Sequence, residues 1–468
     1  MVFSSLTFLY LFLPSCVLLY FLMPSLKAKN VVLIVFSILF YAWGEPVYVF
    51  LMAAMALVNW AMGLLMQQGR KKLLLVLALV FDLGCLAIFK YAGFVVENLN
   101  ALGLSLPMPE IALPIGISFF TFQILSYIVD VYRGKVDVQR SFWLFLLYVS
   151  LFPQLIAGPI VRYADVEQQM ADRKTDPEEI FYGFTRLCIG LAKKVLIADY
   201  AGKAASQLLD GNLAAQTTAG VWLGVLLYMF QIYFDFSGYS DMAIGMGRIF
   251  GFKYPENFNL PYMAKSITDF WRRWHISLST FFRDYVYIPL GGNRRHVYLN
   301  LAIVWTLTGL WHGASWNFVL WGVYFLVLLT AEKLAKEPLR RVPSPVRHIV
   351  TLLLILIGWN IFYFTDTARL GQSFAVMFGA QGTGFTNAQT RIAFTNNLPL
   401  ILTCAIGSTP LPRMISEGFA ILCADKHTGS AKQRAYVIVT YIFDLALLAL
   451  STIALVGTTF NAFLYLRF

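Results

Sequence analysis

Two histidines stand where histidines are costly. His312 ends a long apolar run, Leu299 to Leu310, and is followed by Gly-Ala-Ser-Trp-Asn-Phe-Val-Leu-Trp321. An ionisable side chain within a membrane-spanning stretch is by default a candidate functional group. A neutral imidazole accepts a proton from a hydroxyl, as a general base must. Thr308 lies one turn back, and Gly309 and Gly313 would let backbone or substrate approach closely. The plainer alternative is a satisfied core histidine at a helix-packing site. His275 belongs to the run Trp271-Arg-Arg-Trp-His-Ile-Ser-Leu278. Trp271, Trp274, His275 and Leu278 fall at i, i+3, i+4 and i+7, which predicts one aromatic helix face carrying the imidazole. Arg272 and Arg273 would then point the other way, toward headgroups or a negatively charged donor. The alternative for His275 is a packed ring bonded to a backbone carbonyl.

Both histidines lie in a stretch, Gln231 to Trp316, where charges appear that the rest of the chain avoids. Each ionisable group at membrane depth costs about 2.5–3.5 kcal/mol on insertion scales, so such groups pair, line a cavity or do chemistry. Asp235 and Asp241 continue an apolar span and read either as buried near a cavity or as solvated. Arg248, Arg294 and Arg295 read as interfacial charges in water. His296, His348 and His427 sit in polar or basic connections and read as solvated. No G-x-S-x-G elbow, H-E-x-x-H, Walker loop or Rossmann fingerprint is present. Without a clear protein nucleophile, direct transfer fits best: a histidine deprotonates an acceptor hydroxyl, which attacks a thioester.

The elements that must hold these residues are apolar spans. Hydrophobic residues make up 59% of 468 and charged residues 13%, against about 45–50% and about 25% in soluble domains. One membrane-embedded unit, 1–468, accounts for the whole chain, with its chemistry in about 231–322. Spans need about 20 apolar residues. Candidates run over 6–24, 31–50, 52–67, 73–92, 114–132, 141–159, 180–198, 218–235, 298–312, 314–331, 349–365, 396–412 and 436–458. This predicts an all-α polytopic protein of about 11–13 transmembrane or re-entrant helices. The net charge of +11 comes from short Lys/Arg clusters between spans, the pattern that orients spans toward the cytoplasm; nucleic-acid binding has no support. Lys27 and Lys29 follow the first apolar run instead of preceding it, which suits a retained first span. The stretch 332–348 reads as a cytoplasmic loop, and the polar, Gly-rich 366–397 as lying on the far side. The five cysteines are widely spaced and mostly within apolar runs, so they read as small buried hydrophobes, with neither a disulfide frame nor a metal site.

The motifs together resemble the membrane-bound O-acyltransferases, in the bacterial branch that includes the alginate O-acetyltransferase membrane subunit. The resemblance rests on Tyr233-Phe-Asp-Phe-Ser-Gly-Tyr-Ser-Asp241, Trp271-Arg-Arg-Trp-His-Ile-Ser-Leu278, Tyr287-Ile-Pro-Leu-Gly-Gly-Asn293 and Leu307-Thr-Gly-Leu-Trp-His-Gly313. Phe3–Leu9, Phe40–Gly44, Pro114–Gln123 and Phe152–Pro159 extend it over nearly the whole chain. It implies a ring of tilted helices around a central thinned funnel. It implies that His312 matches the family's invariant membrane histidine and His275 its second functional one. The candidate substrate-binding residues are Trp271, Arg272, Arg273, Trp274, Asp235, Asp269, Trp311 and Asn293. No resident cofactor or metal is expected. An acyl thioester donor, acetyl-CoA or an acyl carrier protein, would meet an extracytoplasmic acceptor across a bacterial inner membrane. That acceptor would be a polysaccharide such as alginate, or an SGNH-like acetyltransferase partner protein. D-alanyl transfer toward teichoic acid and a polysaccharide transporter or channel are the competing readings.

Overall fold

The computed structural model describes residues 2–423 and 431–457, and these are helical with no strand. The helices that matter for the site are α1 (Leu26–Gly44), α2 (Tyr48–Met66), α3 (Lys71–Ala101), α4 (Ile117–Tyr132), α5 (Pro177–Ala192), α6 (Thr218–Ile249), α7 (Ile267–Arg273), α8 (Ile276–Phe282), α9 (Val297–His312), α10 (Trp316–Leu334), α11 (Ser344–Tyr363), α12 (Ala388–Gly407), α13 (Leu411–Cys423) and α14 (Ala431–Val456). Shorter helices connect them.

Seven of these, α1, α2, α3, α6, α10, α11 and α14, are long and apolar enough to cross a membrane, and α12 with α13, bent by 60°, would make an eighth. The chain is a multi-pass membrane protein. The remaining apolar candidates from the sequence are shorter pieces. Phe8–Leu22 and Ile117–Tyr132 fall below full span length. The expected 141–159 segment breaks into Phe142–Ser150 and Phe152–Leu155. Pro153, Gly158 and Pro159 explain the break, since proline removes an N–H donor and restricts the residue before it. Ser37 Oγ accepts the Phe152 N–H (3.1 Å) that the interrupted helix leaves over.

The 32-residue α6 is the axis of the fold. It is hydrophobic on all sides, and such a helix is buried on all sides. Its first half, Val221 to Phe234, packs into a core with α7, α10 and α11. Its second half, from Phe236 onward, packs into a core with the N-terminal helices, α4 and α8. Asp235 stands at the changeover between the two cores.

Helix α5 lies against α6 at backbone distance. A Cβ on Gly190 would meet the Gly238 carbonyl oxygen at 2.5 Å, and one on Gly183 the Gly245 carbonyl oxygen at 2.6 Å. Helix α5 starts cleanly: Asp176 accepts the Glu178 N–H, Pro177 takes the first position, and Glu178 and Glu179 complement the helix dipole. It continues into a π-helical turn, Lys193–Ala198. That turn carries Lys193 and Lys194 to the carboxylates of α6. Lys194 reaches Asp235 (2.9 Å) and Asp199 (2.5 Å), Lys193 reaches Asp241 (2.6 Å), and Arg186 also holds Asp241 (2.9 Å). Arg248 pairs with Glu179 at 2.6 Å, so the expectation of a purely solvated arginine is corrected. Arg294 and Arg295 are exposed as expected.

Candidate active site

His312 is the last residue of α9, and the next residue, Gly313, is extended. Helix α10 turns straight back along α9. A Cβ at Gly309 would lie 2.3 Å from the Phe318 carbonyl oxygen, and one at Gly313 would lie 2.2 Å from the Phe318 ring. The glycines flanking His312 therefore admit the neighbouring helix, and no space for substrate opens at those two positions. The imidazole is buried and framed by rings: Trp311 and Trp321 at centroid distances of 5.0 Å each, and Phe362 at 5.2 Å.

A helix end leaves its last carbonyls without intrahelical donors. Here α3 supplies them. Tyr91 Oη donates to the Leu310 carbonyl (2.7 Å), and Lys90 Nζ donates to the Trp311 carbonyl and to Ser118 Oγ, the latter at 3.3 Å. The terminus that carries His312 is thus tied to residues more than 200 positions earlier. A cavity opens beside it, walled by Lys90, the stretch Leu113–Phe119, Ile156, Trp311 and His312.

His275 sits differently from the sequence expectation. The periodicity predicts one helix through Trp271–Leu278, but the helix stops at Arg273 and a new one starts at Ile276. His275 between them has φ +43°, a left-handed conformation uncommon outside glycine. The cause is competition for backbone groups. Ile276 N–H bonds to the Asn257 carbonyl (2.9 Å), and Asn259 N–H bonds to the Arg273 carbonyl (2.9 Å). A neighbouring loop has taken the bonds that a continuous helix would need. Strain of this kind at a buried polar residue points to function.

The tautomer of His275 follows from its partners. Asn257 Nδ2 donates to the Gly158 carbonyl (3.3 Å), so Oδ1 is the acceptor end of that amide. The same Oδ1 faces the Ser277 N–H (3.3 Å) and Ser277 Oγ (2.8 Å). His275 Nδ1, 3.1 Å from it, must donate. That makes Nε2 the basic nitrogen of the ring. On its other sides His275 meets Phe236 (4.6 Å) and Trp311 (5.7 Å). Trp311 thus contacts both imidazoles, edge to face in each case.

Of the sequence-predicted residues, His312, His275 and Trp311 come together. Trp271 lies one ring further out, against Trp305 (4.8 Å), Trp321 (5.4 Å) and Phe325 (4.9 Å). Trp274 is fully buried on Phe258, Phe270 and Trp359. Asp235 is held by Lys194 in the α5–α6 interface. Asp269 pairs with Arg273 (2.8 Å), while Arg272 is exposed. Asn293, also exposed, accepts from Tyr287 Oη and Lys333 Nζ at 2.9 Å each. The start of α7 is pinned by Glu332 of α10, which accepts the N–H groups of Ile267 (2.7 Å) and Thr268 (2.8 Å). His296 is exposed as expected. His348 is not simply solvated: it is half-buried, with Nδ1 2.9 Å from the Ala264 carbonyl oxygen. His427 lies outside the described residues. The described cysteines, Cys16, Cys85, Cys188, Cys404 and Cys423, are all free.

Sequence reasoning missed Lys90, Tyr91 and Asn257. Lys90 had a signal, being a lone cation in an apolar span. Asn257 had none that distinguishes it from any loop asparagine.

The profile of the membrane-bound O-acyltransferase family matches residues 117–373, which include both histidines. The chain is 43% identical over 393 residues to a probable alginate O-acetylase of Azotobacter vinelandii, covering 81% of this chain and 78% of that protein. It is 36% identical over 406 residues to a peptidoglycan O-acetyltransferase of Helicobacter pylori, covering 77% of each. A teichoic acid D-alanyltransferase of Bacillus subtilis is 32% identical over 311 residues, covering 58% of this chain and 78% of that protein.

Proposed function

The chain belongs to the membrane-bound O-acyltransferase family, and from that premise we propose that it transfers an acetyl group from a cytoplasmic thioester to a hydroxyl on the far side of the membrane. The acceptor is an exported polysaccharide, alginate or a chemically similar polymer, or an extracytoplasmic SGNH-like partner that passes the group on. The donor is acetyl-CoA or an acylated carrier protein. Acetyl stands ahead of D-alanyl because the acetylating relatives are more similar and match over more of the chain.

The observation that carries the mechanism is the pair of buried imidazoles on one tryptophan ring, one of them opening on a cavity. His312 acts as general base. It takes the proton of the acceptor hydroxyl as the oxygen bonds to the thioester carbonyl carbon. When the C–S bond breaks, the imidazolium returns that proton to the departing sulfur. Proton transfer by a positioned side chain contributes about 10²–10⁴-fold. His275, fixed by Asn257, presents Nε2 to orient donor or acceptor. The apolar wall and the aromatic rings exclude water, which would otherwise hydrolyse the thioester.

The test is complementation of a deletion strain with wild type and His312→Ala, followed by chemical release and identification of the ester-linked acid on the exported polymer. Acetate is expected with wild type and its loss with His312→Ala at equal membrane levels of protein. Full acetate with the variant would remove His312 from the chemistry. D-alanine in place of acetate would move the chain to the other transfer.

A further inference from the structure

We propose that Lys90 is a catalytic residue that donates an N–H bond to the acyl carbonyl oxygen as negative charge develops on it. This rests on the acyl-transfer reading above and extends it to a residue outside the stretch that the family profile matches.

Between Lys72 and Glu97, helix α3 holds two charged side chains, Asp82 and Lys90. Asp82 accepts from Asn59 Nδ2 of α2 at 2.7 Å and lines no part of the cavity beside His312. Lys90 forms no ion pair among the described residues, and its acceptors are both neutral, the Trp311 carbonyl and Ser118 Oγ. Capping a helix end does not need a charge. Tyr91 does the same for the adjacent Leu310 carbonyl with a neutral hydroxyl. A lysine at membrane depth is costly, so its presence beside a neutral substitute calls for a second role.

Its position supplies one. An ammonium has three donors, and the Trp311 carbonyl and Ser118 Oγ take two of them. The amine is part of the wall of the same cavity as His312, whose other walls are mainly apolar. The C-terminal end of α9 favours a cation there. A fixed donor in a site that excludes water is the arrangement that stabilises the oxyanion of acyl transfer. The steps balance. As the acceptor oxygen bonds to the carbonyl carbon, the C=O electron pair moves to oxygen, where Lys90 donates. As the pair returns, the C–S bond breaks and the sulfur leaves with the proton held by His312. Lys90 is unchanged at the end.

The experiment uses the full-length protein in nanodiscs with acetyl-CoA and unacetylated alginate as the hydroxyl acceptor, following thiol release, together with polymer ester content in complemented cells. Lys90→Met and Lys90→Gln are compared with Lys90→Arg, Tyr91→Phe and His312→Ala. Loss of one oxyanion donor lowers kcat by about 100-fold or more. The expected result is that drop in Lys90→Met, with KM for acetyl-CoA within about twofold, a smaller drop in Lys90→Gln, and recovery in Lys90→Arg. If Lys90→Met and Tyr91→Phe fall by the same factor, the carbonyl clamp explains both and the proposal fails. An inactive His312→Ala beside a fully active Lys90→Met also overturns it while leaving the acyl-transfer reading intact. An active His312→Ala overturns that reading instead. Should wild type release no thiol, another thioester or another acceptor is used and the ester content of the Lys90 series in cells decides. Should Lys90→Met fail to insert, Lys90→Gln against Lys90→Arg decides.

Discussion

Polar groups are buried in several places in this molecule, and two of those regions treat them in opposite ways. Between α5 and α6, every carboxylate faces a cation: Asp235 and Asp199 face Lys194, and Asp241 faces Lys193 and Arg186. The backbones touch through glycines, leaving no room for anything else. At the end of α9, the hydrogen-bond partners of His275 and Lys90 are neutral: Asn257 for His275, and a carbonyl and a hydroxyl for Lys90. A cavity opens there. Charges that neutralise each other hold helices together. Groups held by neutral partners keep a proton or a donor available to a substrate. On the proposed mechanism, the first region serves position and the second serves chemistry.

The largest effect separating the two is on activity alone. His312→Gln keeps a polar side chain of similar size but removes the base, and should lower acyl transfer by about 10²–10⁴-fold. Its resistance to SDS-induced unfolding should match wild type. A matching loss of folded protein would mean that His312 belongs with the structural region.

Asp235→Ala should do the reverse. The Lys194 and Asp235 side chains are 2% and 3% exposed. Removing one partner of such a buried pair costs about 3–5 kcal/mol, because a charge is left uncompensated. Asp199 keeps part of that charge satisfied, so the lower end is expected. Unfolding titration in detergent reads it. Unchanged stability with lost activity would transfer Asp235 from the interface to the substrate path.

Asn257→Ala tests the join between the regions. It removes the oxygen that the Ser277 hydroxyl and His275 Nδ1–H share, leaving Nδ1 the longer contact to Ser277 Oγ (3.5 Å), at about 1–3 kcal/mol in stability. Freed to rotate, His275 should also lose about tenfold in turnover, the equivalent of about 1.4 kcal/mol in the barrier. Asn257→Asp restores an acceptor and should recover more activity than Asn257→Ala. If both behave alike, the orientation of His275 does not matter to the reaction.

These contrasts also explain what the sequence could reveal. His312 was legible because it is a local anomaly, a polar residue ending an apolar run. Trp271 and Trp274 were singled out by a helical spacing that the structure breaks after Arg273, and both pack among other aromatic rings. The break at His275 was not legible. Its spacing fits a helix perfectly well, and the helix fails because a loop some 18 residues earlier in the chain takes its backbone bonds. Asp235 was visible as a costly charge, but whether it lines a cavity or pairs depends on Lys194, which the π-helical turn rotates into place. Lys90 was missed although it is an isolated cation in an apolar span, and its acceptor lies 221 positions away. Anomalies are written locally; the partners that decide between structure and chemistry are tertiary.

The smallest expected effect lies at the edge of the comparison, on α7. Its two arginines are neighbours with different fates. Arg273 is tied to Asp269 (2.8 Å), whereas Arg272 is exposed and forms no ion pair among the described residues. By the rule drawn from the two buried regions, Arg273 is spent on structure and Arg272 is available. Arg272→Ala should therefore change stability by no more than about 0.5 kcal/mol, as surface substitutions do. If Arg272 guides an anionic donor, KM for that donor should rise a few-fold at low ionic strength. The rise should shrink at 1 M salt, where the screening length falls to about 3 Å. Arg273→Ala should show the opposite balance, with a measurable stability loss and little salt dependence. A salt-independent change in Arg272→Ala would mean that the side chain packs against a neighbour instead of steering a charge, and the donor would then approach from another face.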